Sequence, residues 1–437
     1  MASPRRVKVQ IVYGGAVSSS SSAVVQKTSN QTNESDNIKY TVVRGDTLWA
    51  IAKRFLGEGS RYTVIYNANK DLIEATAKAH GKPNSDNGHW IWAGEVLTIP
   101  ITEDQEKAIV YANSKTAKQK LGNKIENALS SFSYTDEASG KSDSISITMH
   151  DIGKEWIGDQ MPQKGVNIGA KIVFLDWEDL NEFVCGNFTL DDISFSGYPT
   201  ICNLSGVSVP AMDDFKSKPQ TQTFEKTTIR QIASQFATKA KVSLVYDASD
   251  VQIAEVEQKN KTNSAFLYEL CEKYGLAMKV YNHKIVIFDF LTYEAKKSVL
   301  TLSNKNIEKW SYNTTIDGTY TGIEFSYTNP NKKKNEPSTI KVNLGTSGRT
   351  YYINAQASSR YDAELQAAAK INKANREIET MSITCLPCNL VASQCVKVTG
   401  LGKIDGKYFI DKIKHDVSGK GYSMQLTLHK VQTPIKA

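Results

Sequence analysis

The residues best suited to chemistry in this chain of 437 are a CxxC pair, Cys385-Leu386-Pro387-Cys388, and a carboxylate-rich run from Asp176 to Glu182, DWEDLNE. The CxxC spacing serves dithiol exchange or half of a zinc site. Structural zinc takes about four ligands, and the sequence has no second CxxC and no HxxxH. Redox CxxC motifs sit at a strand-to-helix junction, whereas the flanks here, Ser382–Thr384 and Asn389–Val391, read as extended. All six cysteines (185, 202, 271, 385, 388 and 395) are therefore read as inert thiols of a chain matured in a reducing compartment. Two carboxylates across a glycosidic bond could perform acid–base hydrolysis, but the DWEDLNE run falls between strands, where a solvated turn is expected. The histidines (80, 89, 150, 283, 415 and 429) have no metal-ligand spacing, and no GxSxG or P-loop occurs. Asp151, at the end of a strand, is expected to make a turn bond, and His283 to sit at a solvated hairpin tip. No catalytic residue, metal or cofactor is expected.

A different chemistry is offered by Trp90 and Trp92 in GHWIW. An exposed indole stacks on sugar faces or anchors a protein contact. A buried one closes a small core. Both readings stand for this pair.

The elements around these residues are mostly strands. Twenty Tyr and fourteen Phe, with 40% apolar and 23% charged residues, suit a globular and strand-rich chain. No run of 18 apolar residues exists, so no membrane-spanning segment is expected. The net charge of +7 is spread along the chain. Its one compact basic run, Asn331–Asn335, reads as a solvated hairpin tip, and no nucleic-acid site is predicted. Near the N-terminus Val7, Val9, Ile11 and Tyr13 alternate with Lys8 and Gln10, a strand pattern and no signal peptide.

The chain is divided as follows: 1–15 and 121–212, strand-rich segments that the second resemblance given below joins into a first β-domain; 16–37, a Ser/Asn/Thr-rich linker; 38–101, a small βααβ domain; 102–120, a second linker; 213–298, a small α/β domain; 299–437, a second β-domain with one long helix. In the βααβ block, Asp46 or Thr47 caps a helix whose Leu48, Ile51, Ala52 and Phe55 share a face. A second helix starts at Ser60, followed by a long loop over 72–91. Strands are expected over 130–135 and 144–149. In the α/β domain Ile229, Ile232, Ala233 and Phe236 form one helix face, Phe266, Leu267, Leu270, Cys271 and Tyr274 another, and Gly275 stops the second helix. The long helix near 358–380 is expected to turn Tyr361, Leu365, Ala368 and Ala369 inward. In the last strand Met424, Leu426 and Leu428 alternate with polar residues.

Two resemblances follow. The segments YTVVRGDTLWAIAKRF, YTVIYNANKD and WAGEVLTIP resemble a LysM domain. That implies a groove for N-acetylglucosamine-containing glycan such as peptidoglycan, lined by Gly45, Asp46, Thr47 and Leu48 and by the loop before the last strand, which carries Trp90 and Trp92. The second covers the first strand and about residues 125–432. The turn Asp136-x-x-x-Gly140-x-x-Asp143, then Trp156, Pro162 and Gly165, resembles the start of contractile-tail baseplate hub proteins, the late control protein D family, related to type VI secretion spike hubs. NSAFLYELCEKYGLAMKVYNHKIVIFD resembles its middle domain, and VTGLGKIDGKYFIDKIKHDVSGKGYSMQLTL its closing hairpins.

The fold class expected is α+β, mainly β: two barrel-like hub β-domains flanking a small α/β domain, with an inserted LysM between the first strand and its expected partner. The resemblance implies a non-enzymatic homotrimer that joins the tail tube protein to the central spike protein beside other baseplate proteins, in a phage tail, tailocin or related injection particle. It implies assembly in the bacterial cytoplasm and release as a virion component. The LysM would hold wall glycan or a baseplate partner. The alternative is a LysM-targeted cell-wall hydrolase.

Overall fold

The computed structural model describes residues 6–14, 37–43, 45–56, 58–100, 121–177, 180–208, 214–282, 284–328 and 339–437. The expected linker 102–120, the linker 16–37 apart from Asn37, the Asn331–Asn335 run and His283 lie outside the described residues. The chain forms two compact units, Ser20–Lys120 and the remainder, Met1–Ser19 with Leu121–Ala437.

In the smaller unit the strand Asn37–Thr41 pairs antiparallel with Val96–Pro100. The helix Leu48–Leu56 turns Leu48, Ile51, Ala52 and Leu56 into a core shared with Ile65, Ile73, Leu97 and Ile99. The side chain of Phe55 lies outside the described residues. The expected long loop over 72–91 is helical in its first part. After the helix Tyr62–Ala68 the chain breaks at Asn69 and forms another helix, Lys70–Ala79, which buries Ile73 and Ala77. Asn69 explains the break. Its Nδ2 donates to Ile65 O and Thr98 O, and its Oδ1 accepts from Thr98 N, so this buried amide ties the helix junction to the last strand.

The larger unit is built on a 12-stranded sheet. Its path begins Val7–Tyr13, Asn167–Phe174, Glu182–Ser196, Ile201–Val207, Ser144–His150 and Leu129–Glu137. It continues through Gly406–Ser418, Gly421–Lys430 and Glu379–Cys385 to Ile307–Thr314. The first strand therefore hydrogen-bonds to Asn167–Phe174, and the expected partner, Leu129–Glu137, pairs elsewhere. Alternation explains the register: Val9, Ile11 and Tyr13 go inward with Ile168, Ala170 and Ile172.

The two β-domains meet within this sheet, where Leu129–Glu137 pairs antiparallel with Gly406–Ser418. Each keeps its own core. One gathers Phe132, Ile147, Phe188 and Leu204; the other gathers Ile383, Tyr408, Ile413 and Leu426. The closing strand buries Met424, Leu426 and Leu428, as the alternation predicts.

The α/β part follows its sequence pattern. Helix Ile229–Lys239 opens with a capping box between Thr228 and Gln231. Helix Asn263–Lys273 ends at Gly275, whose φ of +74° suits glycine. Both pack on a three-stranded sheet in which Lys284–Asp289 runs parallel to Ser243–Asp247 and antiparallel to Leu276–Tyr281.

A further small sheet was not anticipated. Gly322–Thr328 lies between Thr339–Gly345 and Thr350–Asn354 and receives the helix Arg360–Asn375. That helix presents Ala363, Ala367 and Ile371 to Ile323, Phe325, Tyr327 and Val342. Tyr361, expected inward, is 65% exposed. The face that packs carries Ala363, Ala367 and Ile371 at i, i+4 and i+8, and Tyr361, two residues before Ala363, falls on the opposite side of the helix at about 100° per residue.

Candidate functional sites

The first site is the loop pair of the smaller unit. Val42 N–H donates to Glu95 O, and Gly94 N–H returns to Val42 O, both at 2.8 Å. The loop after the first strand and the loop before the last therefore lie side by side. Asp46 Oδ2 accepts from Val43 N at 3.0 Å and from the Tyr40 hydroxyl at 2.7 Å, which fixes the first loop. Thr47 Oγ1 accepts from Ala50 N and caps the helix. Gly45, at φ +96°, has nothing within 4 Å of where a Cβ would stand, so its backbone is open to a ligand. Leu48 is 2% exposed, and a Cβ on Gly88 would strike it. It lies beneath the second loop as core, which removes it from the groove set.

The two tryptophans of the second loop have different surroundings. Trp90 is 41% exposed beneath the Lys82 ammonium, 4.2 Å from the ring centroid. Trp92 is half-buried and stacks on His80 at 4.6 Å between centroids. Trp49, which the sequence reading passed over, is 55% exposed and rests on Gly59, where any Cβ would collide with the indole. The signal for it was in the helix pattern. Position 49 follows the buried Leu48 and lies off the Leu48/Ile51/Ala52 face, so a large indole there must face outward. Exposed Trp90 supplies a flat apolar platform, and the loop backbone supplies hydrogen-bonding groups, a set suited to a sugar ring; Trp49 offers a second exposed indole, beside Gly59 and Tyr62.

The second site is a buried ionic junction in the larger unit. Lys279, on the α/β strand Leu276–Tyr281, places its ammonium 2.6 Å from Asp136 Oδ1, 2.9 Å from Glu137 O and 3.5 Å from Asp143 Oδ1. Asp143 also accepts from the Tyr134 hydroxyl and Glu137 N, and Asp136 Oδ2 accepts from Ala392 N at 2.7 Å. Asp136 and Asp143 bound the Asp-x-x-x-Gly-x-x-Asp turn, so the motif is a socket for Lys279, a partner 143 residues away from Asp136. Gly140, at φ +85°, lets that turn pass close to Tyr268. Burial pushes the Asp143 carboxyl above the usual carboxylate range, against the pull of Lys279.

Close by, His429 bridges Asp411, through Nδ1 at 2.8 Å, and Glu294, through Nε2 at 3.2 Å; Arg376 pairs with the same Glu294 at 2.6 Å. Burial acts to strip the proton from His429, but Asp411 and Glu294 prevail and raise its pKa to about 9. Both ring nitrogens are committed, so this imidazole acts as a charged clamp rather than a proton shuttle. Next to it a cavity of about 310 Å³ is lined by Tyr268, Glu272, Lys373, Arg376 and His429. Within the cavity wall Lys373 is paired with Glu272.

The remaining sequence candidates take structural roles. Asp151 accepts from Trp156 N and Ile157 N, the turn bond expected of it. Asp176 pairs with Arg6, and Glu182 with Lys171; Glu178 and Asp179 lie outside the described residues. His415 is buried, with Nδ1 2.6 Å from the Tyr422 hydroxyl, and burial lowers its pKa to about 4. Among the described residues no group of three or more His, Cys, Asp or Glu could hold a metal ion, and no helix is long and apolar enough to cross a membrane.

This architecture of a mainly β body with a LysM unit is shared, in its body, with phage tail proteins. The 43 kDa tail protein of prophage MuSo2 from Shewanella oneidensis matches with a TM-score of 0.54 at 12% identity, over 69% of this chain and 94% of that one. A tail protein from Neisseria meningitidis matches at 0.53 and 14% identity, over 69% and 92%. A LysM domain pattern matches residues 40–78. A YQBQ-like pattern matches residues 207–429, half of the chain, and the protein belongs to the YQBQ-like family. One curated relative, the uncharacterized protein YqbP of Bacillus subtilis, is 39% identical over 61 residues, a stretch that spans 14% of this chain and 26% of that protein.

Proposed function

We propose that the protein is a structural baseplate hub of a contractile tail or related injection particle, a non-enzymatic homotrimer that joins the tail tube to the central spike. The observation that carries this reading is the shared 12-stranded sheet in a tail-protein fold. Two β-domains continuous through one sheet move as one block. Three such chains would present six β-domains in a ring, which suits a sixfold tube above a threefold spike. The Lys279 socket and the His429 clamp stiffen the same block from within.

In this reading the LysM unit is a guest of the first β-domain. The first strand ends near residue 14, and the chain returns through the helical segment 121–128, which packs back on that strand: Glu126 Oε1 accepts from Ile11 N at 2.7 Å, and Gly122 abuts Ile11 O. A surface loop accepts such an insertion cheaply, because closure entropy grows slowly with loop length. The guest holds peptidoglycan glycan through Gly45, Asp46, Thr47, Trp90 and Trp92, with Trp49 added by its exposure; a baseplate partner is the other candidate for this face.

Native mass spectrometry of the purified full-length chain tests the hub. A trimer, alone or on addition of its spike protein, is expected. A monomer under both conditions rejects the reading. Release of reducing sugar or free amines from purified cell wall would instead support a wall hydrolase.

A further inference from the structure

The six cysteines occupy two kinds of environment. Cys185, Cys202, Cys271, Cys385 and Cys395 are buried, and Cys388 is half-buried. Cys385 ends the strand Glu379–Cys385, and its register partner on the neighbouring strand is Met424. Cys388 comes round the next turn and sets its Sγ 3.9 Å from the Sδ of that same Met424. The two thiols meet over one methionine. Their turn is held at both ends: Leu386 N–H donates to Asn306 O, and Leu390 N–H to Cys388 O. Pro387 between them fixes a backbone angle, so the approach is built into the fold.

We propose that Cys385 and Cys388 form a redox-active dithiol that closes to an intrachain disulfide on meeting a low-molecular-weight disulfide. Cys388 is the entry thiol because, of the two, it alone is not fully buried. The neighbouring Cys385 thiol holds Cys388 below the usual thiol range, while Cys388 in turn drives Cys385 well above it. The Cys388 thiolate attacks one sulfur of glutathione disulfide and expels a glutathione thiolate. Cys385 then loses its proton and attacks the Cys388 sulfur, expelling the second glutathione. Two thiols become one disulfide, and two electrons and two protons pass to the glutathione pair.

The bond would tie down the root of the loop 386–394. That loop carries Leu390 into the second β-core and donates from Ala392 N to Asp136 in the ionic junction. Closing the dithiol therefore fastens a segment that links the two β-domains. The inference does not depend on the hub assignment.

The test incubates the reduced full-length protein with glutathione disulfide, quenches it with acid, and reads intact mass and mapped peptides. A loss of about 2 Da, mapped to a Cys385–Cys388 crosslink, is expected, with the other four cysteines still alkylated after unfolding. Cys385→Ser, which lacks the second thiol, is expected to stop with one glutathione on Cys388. Wild-type protein that keeps glutathione on Cys388 without crosslinking, or that takes none and forms no crosslink, overturns the proposal.

Discussion

Lys279 and Asp136 form an ion pair of 2.6 Å in which both side chains are almost wholly removed from solvent, 11% and 4% exposed, and each belongs to a different part of the larger unit. Asp143 shares the same ammonium, so one cation serves two carboxyl groups. The balance holds because Asp136 Oδ2 also accepts from Ala392 N, and Asp143 accepts from Glu137 N through Oδ1 and from the Tyr134 hydroxyl through Oδ2.

Removing the cation alone leaves two buried carboxyl groups uncompensated. Lys279→Met is expected to destabilise the larger unit by about 3–5 kcal/mol, read as a lower urea midpoint. Adding Asp136→Asn and Asp143→Asn to that variant should recover a substantial part of the loss. No recovery would mean that lost packing, and not stranded charge, causes the effect.

His429 gives a pH dependence with a definite sign. Its folded pKa of about 9 lies above the ordinary value of 6.5. Its contribution is therefore fully present below pH 6.5 and is lost as pH rises through about 9. Asp143, raised by burial to about 7, acts with the same sign but at lower pH, its loss running from the ordinary carboxylate range up to about 7. Urea midpoints should fall from pH 6.5 to 9. His429→Gln should flatten most of that fall while lowering stability at pH 6.5 by on the order of 3 kcal/mol.

The loop face of the smaller unit separates binding from stability. Trp49→Ala and Trp90→Ala remove exposed indoles, so co-sedimentation of the full-length chain with insoluble peptidoglycan should drop several-fold with little change in melting. Leu48→Ala should behave oppositely, costing the smaller unit about 2–5 kcal/mol through a core cavity. Absence of any wild-type sedimentation would remove the glycan reading and leave a protein partner for this face.

Local patterns carried most of the elements from sequence, and long-range partners were not legible. Helix faces such as Ile229/Ile232/Phe236 and strand alternation at Met424/Leu426/Leu428 are set by periodicity within one element, and they pack as read. The Asp136/Asp143 turn could be seen, but its partner Lys279 is an ordinary lysine in an alternating strand until the fold brings it over. Pairing of Val7–Tyr13 with Asn167–Phe174 was hidden for the same reason: many strands share its alternation, and hydrogen-bonding neighbours are chosen in three dimensions. At Asn69 a polar residue inside a helical pattern read as continuing helix, while its amide in fact ends one helix and pins the next to a strand. In the smaller unit, Leu48 and Trp49 were legible as a buried and an exposed neighbour on one helix. The resemblance to LysM assigned Leu48 to the groove by position along the loop, without regard to that helix face.

The insertion makes its own prediction. Gly122 sits against Ile11 O and Tyr13 N, so the point where the chain leaves the first strand and the point where it returns are close together. Replacing residues 15–120 with a short Gly/Ser linker then needs to bridge only a small gap, and closing a shorter loop lowers the entropy cost of folding. The shortened chain should fold with the far-UV signature of a β-rich protein, keep its urea-derived unfolding free energy within about 1 kcal/mol, and give the same oligomeric state as the full chain by native mass. Glu126→Ala in either background should weaken the anchoring of the returning segment, since Ile11 N–H loses its acceptor. If the shortened chain is insoluble or loses its cooperative transition, residues 15–120 are part of the first β-domain's own stability, and the picture of a tethered guest is wrong.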